Sequence, residues 1–151
     1  IEVLNLKEVD VTGFDFIGFT NLKVLSLSYV QGLVITQFNE ISKAVKASLE
    51  VLELKEVDVT DFDFSRFVSL KVLNLARVRG LADAQFNAIS KEVKSSIELL
   101  NLFELSVSGF DFSGFTSLKD LNLIWAKGFT TVQFNAIPNV AKVTVRTLYF
   151  G

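Results

Sequence analysis

The chain has no cysteine and no histidine. The first absence excludes disulfides, thiolate metal sites and a cysteine nucleophile. The second removes the commonest general base and the commonest metal ligand. No asparagine has serine or threonine two places on, so there is no N-glycosylation acceptor. Together these absences lean toward an intracellular setting. Half the residues are hydrophobic and mean hydropathy is +0.42. Even so, no stretch approaches the roughly 18 consecutive apolar residues of a membrane helix, so no membrane insertion is expected. Fifteen Lys and Arg against seventeen Asp and Glu leave a net charge of −2, with the signs mixed along the chain. That mixture argues against a phosphate-binding surface and against a nucleic-acid partner. There is no Gly-rich phosphate loop, and Gly13, Gly32, Gly80, Gly109 and Gly128 fall at expected turns. The chain starts at Ile1 and contains no methionine, which reads as a processed, excised or designed segment. Missing targeting signals therefore exclude nothing.

What the sequence does have is a phrase stated three times. Residues 1–16 return nearly unchanged as residues 49–64 and more loosely as residues 97–112, a period of 48. A fixed period of this length implies an elongated stack of units in place of one central core. Blocks 1–48, 49–96 and 97–144, with a partial repeat at 145–151, form a single domain of 151 residues. Blocks one and two are closer to each other than to block three, as recent duplication or laboratory idealisation would leave them.

Each block holds the motif Leu-x-x-Leu-x-Leu twice. The starts are Ile1, Leu22, Leu49, Leu70, Ile97 and Leu118, at alternating steps of 21 and 27, and a seventh begins at Val145. This motif resembles the leucine-rich repeat family along the whole chain. The alternation of a longer unit with a shorter one is similar to the ribonuclease-inhibitor-like class. The resemblance implies an α/β solenoid, a right-handed curved coil. It would carry a parallel sheet of about seven strands on the concave side, with helices and short Phe-rich returns on the convex side. It also implies binding through the concave face.

The residues support the same layout. In a strand starting at Leu49, Leu52 and Leu54 share the buried face while Val51, Glu53 and Lys55 share the open one. Long connections between successive strands make the sheet parallel. The 27-residue unit carries Gln-Phe-Asn-x-Ile at Gln37, Gln85 and Gln133. Phe86, Ile89 and Val93 are at helical spacing, which predicts a helix of about three turns with Asp83 as its N-cap. Pro138 predicts an early end or a bend in the third copy. The 21-residue unit carries Phe14, Phe16, Phe19 and their counterparts Phe62, Phe64, Phe67 and Phe110, Phe112, Phe115. These predict short extended or 3₁₀ returns with phenylalanines stacked from block to block. Where the family usually has Asn or Cys after the strand, this chain has Val9, Val30, Val57, Val78, Leu105 and Ala126. The turns are therefore expected to be held by apolar packing and backbone bonds alone.

Two charged patterns read as structural. Asp15, Asp63 and Asp111 recur one per block, which places them roughly 10 Å apart across two strands. That spacing is too wide for a shared metal or a retaining carboxylate pair, so they read as turn residues accepting backbone N–H groups. Glu2, Lys23, Glu50, Lys71, Glu98 and Lys119 alternate in sign along the second motif position until Arg146. Opposite charges on neighbouring strands stabilise a sheet and penalise a slip in register.

The open face changes character along the chain. Lys7 and Lys55 occupy the seventh motif position where block three has Phe103, and the eighth position carries Tyr29, Arg77 and Trp125. Leu99, Phe103, Ile124, Trp125 and Tyr149 form an aromatic and aliphatic patch of the composition found in interface hot spots. The expected function is a non-catalytic scaffold binding a protein or peptide on its concave face, with no cofactor, no metal and no catalytic residue. The alternative is a structural or self-assembling array, or an idealised scaffold without a native ligand. Polar caps are missing from both ends and both sheet edges are expected to be open, which predicts either a longer array or end-to-end self-association.

Overall fold

The computed structural model describes the backbone of residues 1–144 and 147–150 and the side chains of residues 1–142. Val145, Arg146, Gly151 and the Tyr149 side chain lie outside the described residues. The motifs form short strands at Val3–Asn5 (β1), Val24–Ser26 (β2), Val51–Glu53 (β3), Val72–Asn74 (β4), Leu99–Asn101 (β5) and Asp120–Leu123 (β6). They pair in chain order, each parallel to the next, in a single sheet, and Thr147–Phe150 (β7) lies beside β6. Helices follow the even-numbered strands: Ile35–Val45 (α1), Asp83–Asn87 (α2), Lys91–Ser96 (α3), Thr131–Ala136 (α4) and Asn139–Thr144 (α5). The fold is α/β with a parallel sheet, as the long connections require.

Register follows the motif. Leu25 stands opposite Leu52, and Leu73 opposite Leu100. Leu52 and Leu54 are fully buried, while Val51 and Glu53 between them are half-buried. A slip of one residue would exchange these two sets, so the leucines fix the pairing. Each buried leucine contributes about 1.5–3 kcal/mol relative to an exposed one.

The phenylalanines are organised differently from the expected stack of like on like. The helix Phe of one block closes the Phe triad of the next. Phe38 stacks on Phe62 at 4.0 Å between ring centroids and meets Phe64 and Phe67 edge-on at 5.8 Å. Phe86 likewise stacks on Phe110 at 4.1 Å and lies 5.8 Å from Phe112, at a tilt, and 5.8 Å from Phe115, closer to parallel. One ring serving three neighbours is denser than rows of identical rings, and offset and edge contacts suit the ring quadrupole.

The preceding residue of the same motif faces the other way. Gln37 Nε2 donates to Val11 O at 2.8 Å and to Phe14 O at 3.1 Å, and its Oε1 accepts from Val34 N at 3.0 Å. Gln85 does the same with Val59 O, Phe62 O and Ala82 N. Gln133 does so with Val107 O, Phe110 O and Thr130 N. Each side chain thus joins a helix start to the bend of the short unit before it.

The turns after the strands are also not left to apolar packing and backbone bonds, contrary to expectation. Asn5, Asn74, Asn101 and Asn122 each accept, through Oδ1, the N–H two residues on. Asp10 and Asp58 accept both the N–H and the hydroxyl of Thr12 and Thr60. Asparagine is used, but earlier in the unit than the family pattern places it.

The second helix is a further correction. The spacing of Phe86, Ile89 and Val93 predicts one helix, whereas α2 and α3 are separate. Ser65 explains the break: its hydroxyl donates to Ala88 O at 3.0 Å and accepts from Ser90 N at 3.0 Å. Ser90 then caps α3 by accepting from Val93 N. In block one the residue in the place of Ser65 is Ile17, and α1 runs unbroken for 11 residues. In block three Pro138 follows α4 and precedes α5, where the sequence predicts an interruption. Asp83 is the first residue of α2 and not its cap. Ala82 holds the cap position, where its N–H is taken by Gln85.

Gln85→Ala removes two donors from part-buried carbonyls and one acceptor from an exposed N–H, and should cost about 2–4 kcal/mol in chemical denaturation. Gln31→Ala, at an exposed site, should stay within about 0.5 kcal/mol of the parent.

Candidate binding surface

The open face is built by the odd positions of the strands and by the turn that follows each one. In every turn the ninth-position N–H bonds back to the sixth-position carbonyl, as in Val57 N to Leu54 O at 3.0 Å and Leu105 N to Leu102 O at 3.2 Å. The eighth residue is then third in a four-residue turn, and φ is positive there in each copy: 66° at Glu8, 61° at Tyr29, 59° at Glu56, 54° at Arg77, 60° at Glu104 and 57° at Trp125. Glycine or asparagine would be the undemanding choice. Larger L-residues cost about 1–2 kcal/mol each in this region. The leucines buried on either side offset that cost. Long side chains are thus held at strained positions along the rim of the open face.

Those side chains interlock with the seventh-position residues of the units before and after. In the first half, Tyr29 is flanked by Lys7 Nζ at 5.5 Å and Lys55 Nζ at 5.2 Å from the ring centroid. In the last half the roles are exchanged, because the seventh position is now aromatic. Phe103 has the Arg77 guanidinium 5.2 Å above its ring and Trp125 at 5.5 Å between centroids. Both arrangements place a cation or a second ring against an aromatic face.

Arg77 is itself fixed by two carboxylates. It donates from Nη2 to Glu104 Oε1 at 2.9 Å and from Nη1 to Glu56 Oε1 at 3.3 Å. The hydrogen bond from Arg77, with its charge, holds the Glu104 carboxyl below its ordinary value, and Glu104 in turn raises Arg77. The cation over Phe103 is thus neutralised by Glu56 and Glu104 and presents little net charge to a ligand.

Trp125 is 61 % exposed, while Phe103, Ile124 and Leu99 are half-buried. Phe103 and Ile124 occupy the same motif position in consecutive units, and Glu104 N bonds to Ile124 O at 3.0 Å. Leu99 lines a groove of about 330 Å³ with Asn101, Asp120 and Asn122. Tyr149 pairs with Asn122 through the backbone. Of the five expected residues, Phe103 and Trp125 are in contact, Leu99 is on β5 and Ile124 directly follows β6. Arg77 and its two glutamates are the part that sequence reasoning missed. The signal for them was the recurrence of charge at the eighth position: Glu8, Glu56, Arg77 and Glu104.

The other recurring charges have structural partners. Asp15, Asp63 and Asp111 accept from Ile17 N, Ser65 N and Ser113 N within 2.9 Å, which is the turn role expected of them. Glu2 pairs with Lys23 at 3.0 Å, Glu50 with Lys71 at 3.2 Å and Glu98 with Lys119 at 3.2 Å. The charge row therefore resolves into pairs within each block.

Comparison with protein-family models gives no significant match, and comparisons with curated proteins and with solved structures give none either.

Two outcomes follow for the single tryptophan. Trp125→Gly should keep stability or raise it by up to about 1 kcal/mol in urea denaturation followed by circular dichroism, because relief of the left-handed residue outweighs the entropy of glycine. Glu104 is depressed below its ordinary 4.5, so its pairing with Arg77 is present above that pH and is lost as pH falls through the lowered value. Trp125 emission should therefore titrate with a midpoint below pH 4.5, and Glu104→Gln should abolish that transition.

Proposed function

We propose that this chain is a leucine-rich-repeat solenoid of about seven parallel strands that acts as a non-catalytic scaffold. It binds a protein or peptide on its concave, open face. The repeated motif and the chain-order parallel sheet support the fold reading. A rigid sheet with a solvent-facing side suits recognition of an extended segment.

The observation that carries the binding reading is the Phe103–Trp125 pair. A tryptophan 61 % exposed stands at positive φ beside a second ring, and a guanidinium also lies over that second ring. Trp, Tyr and Arg are the residues enriched at interface hot spots. The partner chemistry that fits is an apolar or aromatic anchor against Phe103 and Trp125. The rest of the segment would offer hydrogen-bonding groups to Asn101, Asp120 and Asn122. Because Arg77 is already neutralised, an acidic ligand gains little there.

The test is selection of binders from a displayed peptide library, followed by affinity measurement on variants. Phe103→Ala and Trp125→Ala should each weaken selected binders at least about tenfold, as hot-spot truncations do. Tyr29→Ala, at the other end of the face, should not. Unchanged affinity in both patch variants would remove this surface as the site. A self-assembling array is the second reading. It is favoured by a separate observation: Phe14 and Phe134 are 42 % and 37 % exposed at opposite ends of the element order.

A further inference from the structure

The interface between blocks is seen twice inside the chain, and its two halves are left over at the two ends. Phe38 and Phe86 are completely buried against the triads of the following blocks, whereas Phe134, 48 residues on, is 37 % exposed. Phe62 and Phe110 are buried under those helix rings, whereas Phe14, 48 residues earlier, is 42 % exposed. Ile1 is 79 % exposed where its counterparts Leu49 and Ile97 are fully buried.

The leftover halves match in residue identity. The N-terminal edge carries Gly13, Phe14, Asp15, Phe16, Gly18 and Phe19, which are the residue types of Gly109, Phe110, Asp111, Phe112, Gly114 and Phe115. The C-terminal edge carries residues 133–137, identical to residues 85–89. Inside the chain these two sequences meet. Asn87 Nδ2 donates to Gly109 O, and Asp111 N donates to Asn87 Oδ1, both at 2.8 Å. Lys94 lies over Phe86 and Phe115 and packs on Gly114. At the edges Asn135 takes the place of Asn87, and Lys142 covers Phe134 at 5.1 Å. Nothing stands within 4 Å of the side-chain position of Gly18, where the counterpart Gly114 has Lys94.

We propose that the C-terminal edge of one molecule receives the N-terminal edge of a second copy of this chain, head to tail. Phe14, Phe16 and Phe19 of the second copy close over Phe134 as the internal triads close over Phe86. Asn135 meets Gly13 and Asp15. Unbroken continuation of the motif puts Val3–Asn5 of the second copy in the position beside β6 that Thr147–Phe150 occupies. The charge row favours this exchange. Lys119 is followed in the row by Arg146, a like charge, whereas Glu2 of the second copy would restore the alternation. A head-to-tail contact of this kind does not close on itself, so it propagates. The surface is separate from the Phe103–Trp125 patch, and the proposal stands or falls independently of it.

Sedimentation velocity of the 151-residue chain, from micromolar to about 0.5 mM, should show mass rising with concentration. Phe14→Ala and Phe134→Ala each spoil one end, so each alone should remain monomeric. Mixed in equal amounts they should form a heterodimer that grows no further, because one sound edge of each kind remains. Removal of residues 145–151 should lower the concentration of half-association at least about tenfold, since the receiving position is then always open. Circular dichroism melts confirm that the variants are folded. A parent chain that stays monomeric, or single Phe variants that associate as the parent does, would overturn the proposal. So would a mixture no larger than its components. Loss of association in a folded chain lacking 145–151 would overturn the exchange.

Discussion

Three consecutive residue types, Gln-Phe-Asn, hold the molecule together by bonding in opposite directions along the chain. The glutamine reaches back and the phenylalanine reaches forward. Gln85 binds the carbonyls of Val59 and Phe62 in the unit before it, while Phe86 stacks on Phe110 in the unit after it. Asn87 joins the forward contact at Gly109 and Asp111. A buried carbonyl without a donor costs about 1–3 kcal/mol, so the glutamine is constrained by the short unit's bend as much as by its own helix. The strands alone would not hold the layers in place, since each is three or four residues long. The alternation of a helix-bearing unit with a helix-free one follows from this division. The helix-free unit supplies carbonyls and a Phe triad, and the helix-bearing one supplies the side chains that bind them.

The open face is governed by a different constraint, the left-handed residue of each turn. Ladder bonds require the eighth-position N–H to point at the next unit, as Arg77 N does to Phe103 O and Tyr29 N to Lys55 O. That geometry fixes where the seventh and eighth side chains stand, and so makes them neighbours across units. An aromatic at either position must then meet whatever the adjoining units place beside it. Lysines surround Tyr29, and Arg77 with Trp125 surrounds Phe103. The same backbone therefore presents a basic aromatic rim in its first half and an apolar one, with its cation neutralised, in its last.

Much of this was legible from spacing. The leucine periods give the strands, their parallel order and their register, because a one-residue slip would expose every leucine. The turn role of Asp15, Asp63 and Asp111 was legible for the same reason: strand spacing alone keeps them apart. The break between α2 and α3 was not legible. It depends on Ser65, 23 and 25 residues earlier in sequence, reaching Ala88 O and Ser90 N. The left-handed positions were hidden because Glu, Arg and Trp carry no backbone signature of that conformation. The patch residues Phe103 and Trp125 were found through divergence from the repeat. Arg77 was visible in the same row, but its two carboxylate partners become evident only when the turns are placed side by side.

Repetition and divergence also explain why the chain's edges differ from its interior. An internal triad such as Phe62, Phe64 and Phe67 is covered because the block before it provides Phe38. Among the described residues no such ring lies over the first triad, and Phe14 is exposed although its sequence is that of the buried copies. Selection for packing inside the stack thus writes, at each end, a surface already complementary to the other end. Such an edge invites pairing unless sequence changes blunt it. The partial repeat after block three breaks the charge alternation at Arg146, which favours exchange in place of blunting the edge. The residues 133–137 that would contact a following triad remain those of block two. The packing code is therefore retained at the very place where the pairing code has changed. Association is then governed by competition for the position beside β6 more than by a lack of complementary surface.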